Sequence, residues 1–368
     1  MKAYMTVTRR QWMTAGLTAA AAAHGEDINH EIRAAAHKAP LRMQFAGGSA
    51  FDCRRWQQSF GAKLNEILGS FQPPAKWQTI TENHVTLADH ERHSLLLRAD
   101  GVRDLPVHLL VPRGGAQAKR PAIIALHGHG EFGYDSVAGI ATTREQKAAI
   151  AAANYDYGVQ LVRRGYVVAV PCLTPFGRRL GDAKASRKDA CGVTFVRMQL
   201  LGKLLIAENL RDALWSIELL AAQPNVDPAR MGCVGLSYGG RMTMLTSAVS
   251  ARVQVAVISG ALNIMQERVL GASYGCGAQV IPGLLQYGDV PEIASLIAPR
   301  PCLWEVGSND SLMVKDRIPN ALERMRRAWG ALDAAPNLQV DYFEGKHQWN
   351  GVRAYPLLAS VLRPPEDK

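Results

Sequence analysis

The chain has 368 residues, 48% of them hydrophobic and 20% charged, and a formal net charge of +10 at pH 7. That length suits one large α/β domain with an N-terminal extension or two small domains, the composition excludes global disorder, and no apolar run reaches the roughly 18 residues a membrane helix needs. The basic residues are dispersed, with only Lys119-Arg120, Arg178-Arg179 and Arg324/Arg326/Arg327 as local groups, so nothing marks a nucleic-acid partner.

The N-terminus carries Thr8-Arg9-Arg10-Gln11-Trp12-Met13 and then a small-residue stretch, Ala15 to Ala23. This resembles a bacterial twin-arginine export signal with a cleavage site at Ala21-Ala22-Ala23, which implies a periplasmic or secreted protein. Lys2, Arg9 and Arg10 account for three of the ten net charges. Residues 24–50 show no period and read as a leader or loop. Trp56, Phe60, Leu64, Ile67, Leu68 and Phe71 recur at spacings of three and four, which predicts a helix over 51–71 ended by Gln72-Pro73-Pro74. Leader and helix together form an extension up to residue 75, ahead of a catalytic domain at 76–368.

From Trp77 to Pro112 the pattern is strand-like, with apolar runs at Leu95–Leu97 and Val107–Val111. Strands and helices then alternate. Strands are expected at 121–126, 165–170, 231–236, 253–259, 302–306 and 338–343. Helices are expected at 143–164, 204–222, 241–250, 291–297, 315–332 and 352–362. Near-continuous apolar strands in this alternation predict a mostly parallel, eight-stranded sheet with helices on both faces. Segments 172–203 and 260–290 break the alternation. Both follow strand C-termini and are expected to lie, lid-like, over the ligand site.

The chemistry centres on Met231-Gly-Cys-Val-Gly-Leu-Ser-Tyr-Gly-Gly240, an apolar strand, a tight turn through Ser237 and then a helix. This is the setting a G-x-S-x-G nucleophile elbow requires. Serine needs a base, and the base needs an orienting carboxylate. His347, in Glu344-Gly-Lys-His-Gln-Trp-Asn-Gly351, is the one histidine downstream of Ser237. Asp310 leaves the preceding strand through Gly307, whereas Glu305 and Asp341 lie inside strands. The expected triad is therefore Ser237, His347 and Asp310. Two backbone N–H groups must hold the oxyanion. Tyr238 follows the nucleophile, and Gly128 and His129 lie in the His127-Gly-His-Gly-Glu131 loop after the first parallel strand. Arg241, Trp349 and Gln279 are candidate pocket residues, although packing roles suit each of them equally.

Gly128-His-Gly130-Glu-Phe-Gly133 formally matches G-x-G-x-x-G, but no acidic residue closes the next strand at Val170-Pro171-Cys172, so no cofactor is expected. His127 and His129 have no third ligand at a metal-site spacing, and the six cysteines (Cys53, Cys172, Cys191, Cys233, Cys276, Cys302) form no C-x-x-C pair, so no metal is expected either.

Gly235-Leu-Ser-Tyr-Gly-Gly-Arg241, His127-Gly-His-Gly130, Asp156 to Tyr166, Cys276 to Asp289, Pro299-Arg-Pro301 and His347-Gln-Trp349 resemble, as a set, the dienelactone hydrolase-like and acetyl xylan esterase-like branch of the α/β-hydrolases. The resemblance covers roughly residues 50–362. It implies cofactor-free hydrolysis of carboxylic esters, often acetyl esters on carbohydrate, through a serine acyl-enzyme. Dienelactone hydrolases proper use cysteine where this chain has Ser237. Glucuronoyl esterases carry arginine where it has Tyr238. A serine peptidase of the prolyl oligopeptidase type shares G-x-S-Y-G-G but usually adds a repeat-built propeller, and no internal repeat is present here. A catalytically silent carbohydrate-binding protein on the same fold is the non-enzymatic alternative.

Overall fold

The computed structural model describes residues 28–114, 119–130, 132–181, 189–268 and 276–364. The expected export signal lies outside these residues. Among the described residues nine strands form one sheet: β1 (Gln78–Thr86), β2 (His90–Arg98), β3 (Leu105–Pro112), β4 (Arg120–Leu126), β5 (Val167–Pro171), β6 (Val226–Leu236), β7 (Val253–Ser259), β8 (Cys302–Gly307) and β9 (Leu338–Phe343). Their order is β1-β2-β3-β5-β4-β6-β7-β8-β9. The β1–β2, β2–β3 and β3–β5 pairs are antiparallel and all the others are parallel.

The ninth strand corrects the expectation of eight. The additional strand is β1, which escapes a period-2 reading because its register slips between Thr81 and Asn83. The slip moves the inward face from Ile80 to Val85, five residues apart instead of an even number, and the rest of the strand is exposed.

In β4, Ala122, Ile124 and Leu126 pack into one face's core while Ile123 and Ala125 pack into the other. The first face is covered by helices that include Ala50–Leu68, Leu205–Ala221, Tyr238–Val249 and Ile318–Ala331, and the second by Tyr157–Val162 and Ala354–Leu362. The chain runs from β4 outward to β5, then returns to β6 on the opposite side of β4. This reversal opens a crevice at the carboxyl ends of β4 and β6, where loops diverge to opposite faces and ligands bind in such sheets.

Two local departures have physical causes. Residues 28–37, read as leader, form a helix with Ala36 buried. The single helix expected over 143–164 is two, Arg144–Ala153 and Tyr157–Val162. Thr143 and Gln146 cap the first reciprocally, and Asn154 ends it in the left-handed region at φ 49°.

Arg300, between Pro299 and Pro301, ties the helix Tyr238–Val249 to the start of β7. Its guanidinium donates to the carbonyls of Ser247 (2.6 Å), Ser250 (2.9 Å), Val253 (2.5 Å) and Ile297 (3.1 Å). It therefore serves the open C-terminal carbonyls of the helix Tyr238–Val249. Arg300→Ala is expected to lower unfolding free energy by about 3 kcal/mol, because several carbonyls lose a charged donor. Arg300→Lys is expected to recover only part of that loss, since one ammonium cannot span the fork. Urea unfolding of both variants checks the order.

Candidate active site

Ser237 joins β6 to the helix Tyr238–Val249 with φ 64° and ψ −120°. A non-glycine residue held there is strained, and its surroundings must impose it. They do so by close packing. A Cβ on Gly239 would stand 1.8 Å from the Leu126 carbonyl oxygen, and one on Gly235 would stand 2.4 Å from the carbonyl carbon of Gly239. The helix is thus pressed onto β4 and β6 closer than any side chain allows. The Ser237 N–H donates to the Ser259 carbonyl at the end of β7 (2.9 Å), which fixes the turn from the other side.

His347 and Asp310 come together. His347 Nδ1 donates to Asp310 Oδ2 at 2.7 Å, and Asp310 Oδ1 accepts from the Leu312 N–H at 2.9 Å. Asp310 is buried, and His347 Nε2 is buried without a hydrogen-bond partner. The His347 ring lies against the end of β7: a Cβ on Gly260 would be 2.9 Å from its Cε1 and 3.1 Å from Leu236 Cδ1. His347 and Ser237 therefore both border the same strand terminus. Glu305, set aside above as a strand residue, anchors the loop that bears His347. Its carboxylate accepts from the N–H groups of Gly351 (2.8 Å) and Asn350 (3.2 Å).

Tyr238 opens its helix, so its N–H is among those without an intrahelical acceptor. Its side chain is buried, and its hydroxyl oxygen accepts from Asn209 Nδ2 at 2.7 Å. Asn209 also exchanges hydrogen bonds with the Thr174 backbone, so one amide fixes both Tyr238 and the loop after β5. The Gly128 loop packs directly on Ser237, since a Cβ on Gly128 would be 2.8 Å from Ser237 Cβ. The Gly128 N–H is not open to an oxyanion: it donates to the Tyr155 hydroxyl at 2.6 Å. The hydroxyl of Tyr155 thus occupies the Gly128 N–H that the sequence offers to an oxyanion.

Of the pocket candidates, Trp349 and Arg241 are buried in packing, whereas Gln279 lines a cavity. Trp349 is fully buried, stacked on Tyr157 at 4.9 Å, with its indole N–H on the Tyr355 hydroxyl and its backbone N–H on the Ala153 carbonyl. It wedges the His347 loop against the break at Asn154, whose side chain donates to the Trp349 carbonyl. Arg241 is buried and donates to the Asn263 carbonyl at 2.9 Å. Gln279 lines a cavity of about 450 Å³ formed with Ile32, Ala36, Met265 and Ile281 under the helix Ile28–His37.

His127 is buried, with Nδ1 on the Gly128 carbonyl (2.8 Å) and Nε2 accepting from the Leu173 N–H (2.9 Å). It staples the loop after β4 to the loop after β5. His129, by contrast, is exposed and places Nε2 at 2.9 Å from Cys276 Sγ. The Cys191 thiol hydrogen bond draws the Cys276 thiol below its ordinary pKa, and Cys191 is raised in turn. Sequence spacing could not reveal this group, because its members come from three distant segments.

Residues 149–269 match the Dienelactone hydrolase family. YtaP of Bacillus subtilis (strain 168), which bears a hydrolase name, is 28% identical over 251 residues, 65% of this chain and 78% of its own. A structure from Bacteroides fragilis NCTC 9343 given as an acetyl xylan esterase superposes with a TM-score of 0.71 at 18% identity, covering 87% of this chain and 83% of the other. A glucuronoyl esterase from Solibacter usitatus does so with a TM-score of 0.63 at 14% identity, covering 85% and 93%. Such identities speak for the shared fold. The sheet, the crevice and the turn at Ser237 define an α/β-hydrolase fold. Within that fold the chain is similar, over residues 149–269, to the Dienelactone hydrolase family, and its relatives bear hydrolase and esterase names.

Burial pushes the His127 imidazole down to about 4 and the Glu305 carboxyl up to about 7. Between about pH 4 and 6.5 the folded state binds fewer protons at His127 than the unfolded chain, so stability rises with pH. Between about pH 4.5 and 7 it binds more at Glu305, so stability falls with pH. The two slopes oppose each other. Glu305→Gln is expected to cost about 1–3 kcal/mol, because an amide cannot accept at both positions. Its stability should also climb more steeply between pH 4.5 and 6.5 than the wild type's, as denaturant midpoints across that range will show. Tyr155→Phe, which removes the acceptor of the Gly128 N–H, is expected to lower kcat about tenfold while leaving far-UV circular dichroism unchanged.

Proposed function

We propose that the protein is a serine carboxylic-ester hydrolase using Ser237, His347 and Asp310. The observation that carries this reading is the pairing of His347 Nδ1 with buried Asp310 at 2.7 Å, which leaves Nε2 buried and unpartnered beside the strained serine turn. In the first half-reaction Ser237 Oγ attacks the ester carbonyl and His347 Nε2 takes its proton. The tetrahedral oxyanion is held by the N–H groups of Tyr238 and His129, and collapse expels the alcohol, which receives the proton from His347. Water then attacks the acyl-enzyme by the same route, releasing the acid and restoring Ser237. Asp310 holds the imidazole in the tautomer that presents Nε2 as the base and stabilises the imidazolium.

For substrate class we favour acetyl or related esters of carbohydrates. Support comes from the names of the structural neighbours, one an acetyl xylan esterase and another a glucuronoyl esterase. Tyr238 after the nucleophile, in place of arginine, sets the chain apart from the glucuronoyl type. The Thr8 to Met13 sequence favours an exported enzyme meeting such esters outside the cytoplasm.

Ser237→Ala is expected to reduce p-nitrophenyl acetate hydrolysis by at least about 10³-fold, and Asp310→Asn by about 10²–10⁴-fold. Wild-type rates in Ser237→Ala would remove the nucleophile assignment. A screen in which acetylated oligosaccharides are inert while aminoacyl amides turn over would replace the esterase reading with a peptidase one.

A further inference from the structure

His129, Cys191 and Cys276 converge from three separate segments. His129 belongs to the loop after β4. Cys191 lies in the first turn of the helix Ala190–Gln199, whose N-terminus is capped by the Asp189 side chain. Cys276 precedes the short turn Gly277–Gln279. Their Nε2 and two Sγ atoms all lie within 4.8 Å of one another.

We propose that these three residues form a binding site for a thiophilic divalent cation of the zinc(II) kind. Two thiolates and one neutral imidazole match the charge and softness of such an ion. Zinc bonds of about 2.3 Å to sulfur and about 2.0–2.1 Å to nitrogen, in tetrahedral geometry, separate the ligand atoms by roughly 3.5–3.8 Å. The 2.9 Å gap between His129 Nε2 and Cys276 Sγ needs to open by only a few tenths of an ångström, and the other pairs already lie within the 4.8 Å limit. On binding, each thiol gives up its proton to solvent, one metal–sulfur bond forms at each cysteine, and two protons are released per ion, with no change in oxidation state.

The supports of the site are already set. The His129 ring stands edge-on to Phe176 (5.2 Å, 87°) and tilted over Tyr238 (5.4 Å). A Cβ on Gly277 would be 2.4 Å from Phe195 Cβ and 2.9 Å from the Cys191 carbonyl oxygen, so the turn that bears Cys276 is seated on the helix that bears Cys191. A bound ion joins the loop after β4 to the helix Ala190–Gln199 and to the turn Gly277–Gln279. Three protein ligands leave a fourth position for water or a small ligand. The proposal does not depend on the esterase reading, because its readout is metal uptake.

The test is titration of the full-length protein, reduced with a phosphine and stripped of metal, with cobalt(II) and then competing zinc(II). Thiolate-to-cobalt charge-transfer absorption and calorimetry provide the readout. The expected result is one equivalent per chain, lost in Cys191→Ser/Cys276→Ser and weakened at least about tenfold in His129→Gln. His129 is exposed, so that variant keeps the test open if the serine variants fail to fold. The remaining cysteines, Cys53, Cys172, Cys233 and Cys302, are buried and stay in place as an internal control. Absence of uptake by the reduced wild type, or uptake indifferent to all three substitutions, overturns the proposal. So does finding Cys191 and Cys276 joined as a disulfide in freshly isolated protein.

Discussion

The contact between Gly239 and the Leu126 carbonyl is the constraint on which the site depends. With a prospective Cβ only 1.8 Å from that oxygen, the helix after Ser237 sits against β4 with no room for any side chain. The turn has no freedom to relax, and Ser237 stays at a positive φ. Strain of this kind costs on the order of 1–3 kcal/mol and persists only where packing over-determines it. Here the nine-stranded sheet supplies that packing, and the gain is a hydroxyl fixed at the edge of the crevice.

Around this turn, three loops are each tied at more than one point. The loop after β4 is held by His127 to Leu173 and by the Gly128 N–H to Tyr155. The loop after β5 is held by Asn209, whose amide also reaches the Tyr238 hydroxyl. The His347 loop is held by Glu305 from beneath and by Trp349 wedged against the Asn154 break. Buried polar groups do this work because loop backbone at a sheet edge has no ladder to satisfy it. The same burial sets the opposed titrations of His127 and Glu305.

How much of this was legible in the sequence follows from range. The positions of Ser237, Asp310 and His347 were legible because each stands just past the end of an apolar strand, and the pairing of His347 with Asp310 follows from two neighbouring strand ends. The alternation of β4 to β9 with helices was legible for the same reason. Tyr155, Asn209 and the cluster of His129, Cys191 and Cys276 were not, since each acts on a group some 27 to 147 positions away and carries no local pattern. Trp349 and Arg241 were misplaced in the pocket because proximity to a catalytic residue in sequence does not say which way a side chain turns. The break at Asn154 was hidden by good helix formers on both sides, and only the left-handed Asn and its tertiary hydrogen bond end the first helix.

Strand β1 has a consequence for how the molecule behaves in a crowd. An open sheet presents two free edges, each a template on which another chain's strand can pair. At one of them Gln78–Thr86 offers mostly exposed polar residues, and the register slip at Thr81 and Asn83 twists its hydrogen-bonding groups out of line. The irregularity that conceals this strand from a periodic reading also makes it a poor seed for intermolecular β-pairing, so the large apolar sheet behind it is screened from self-association along that side.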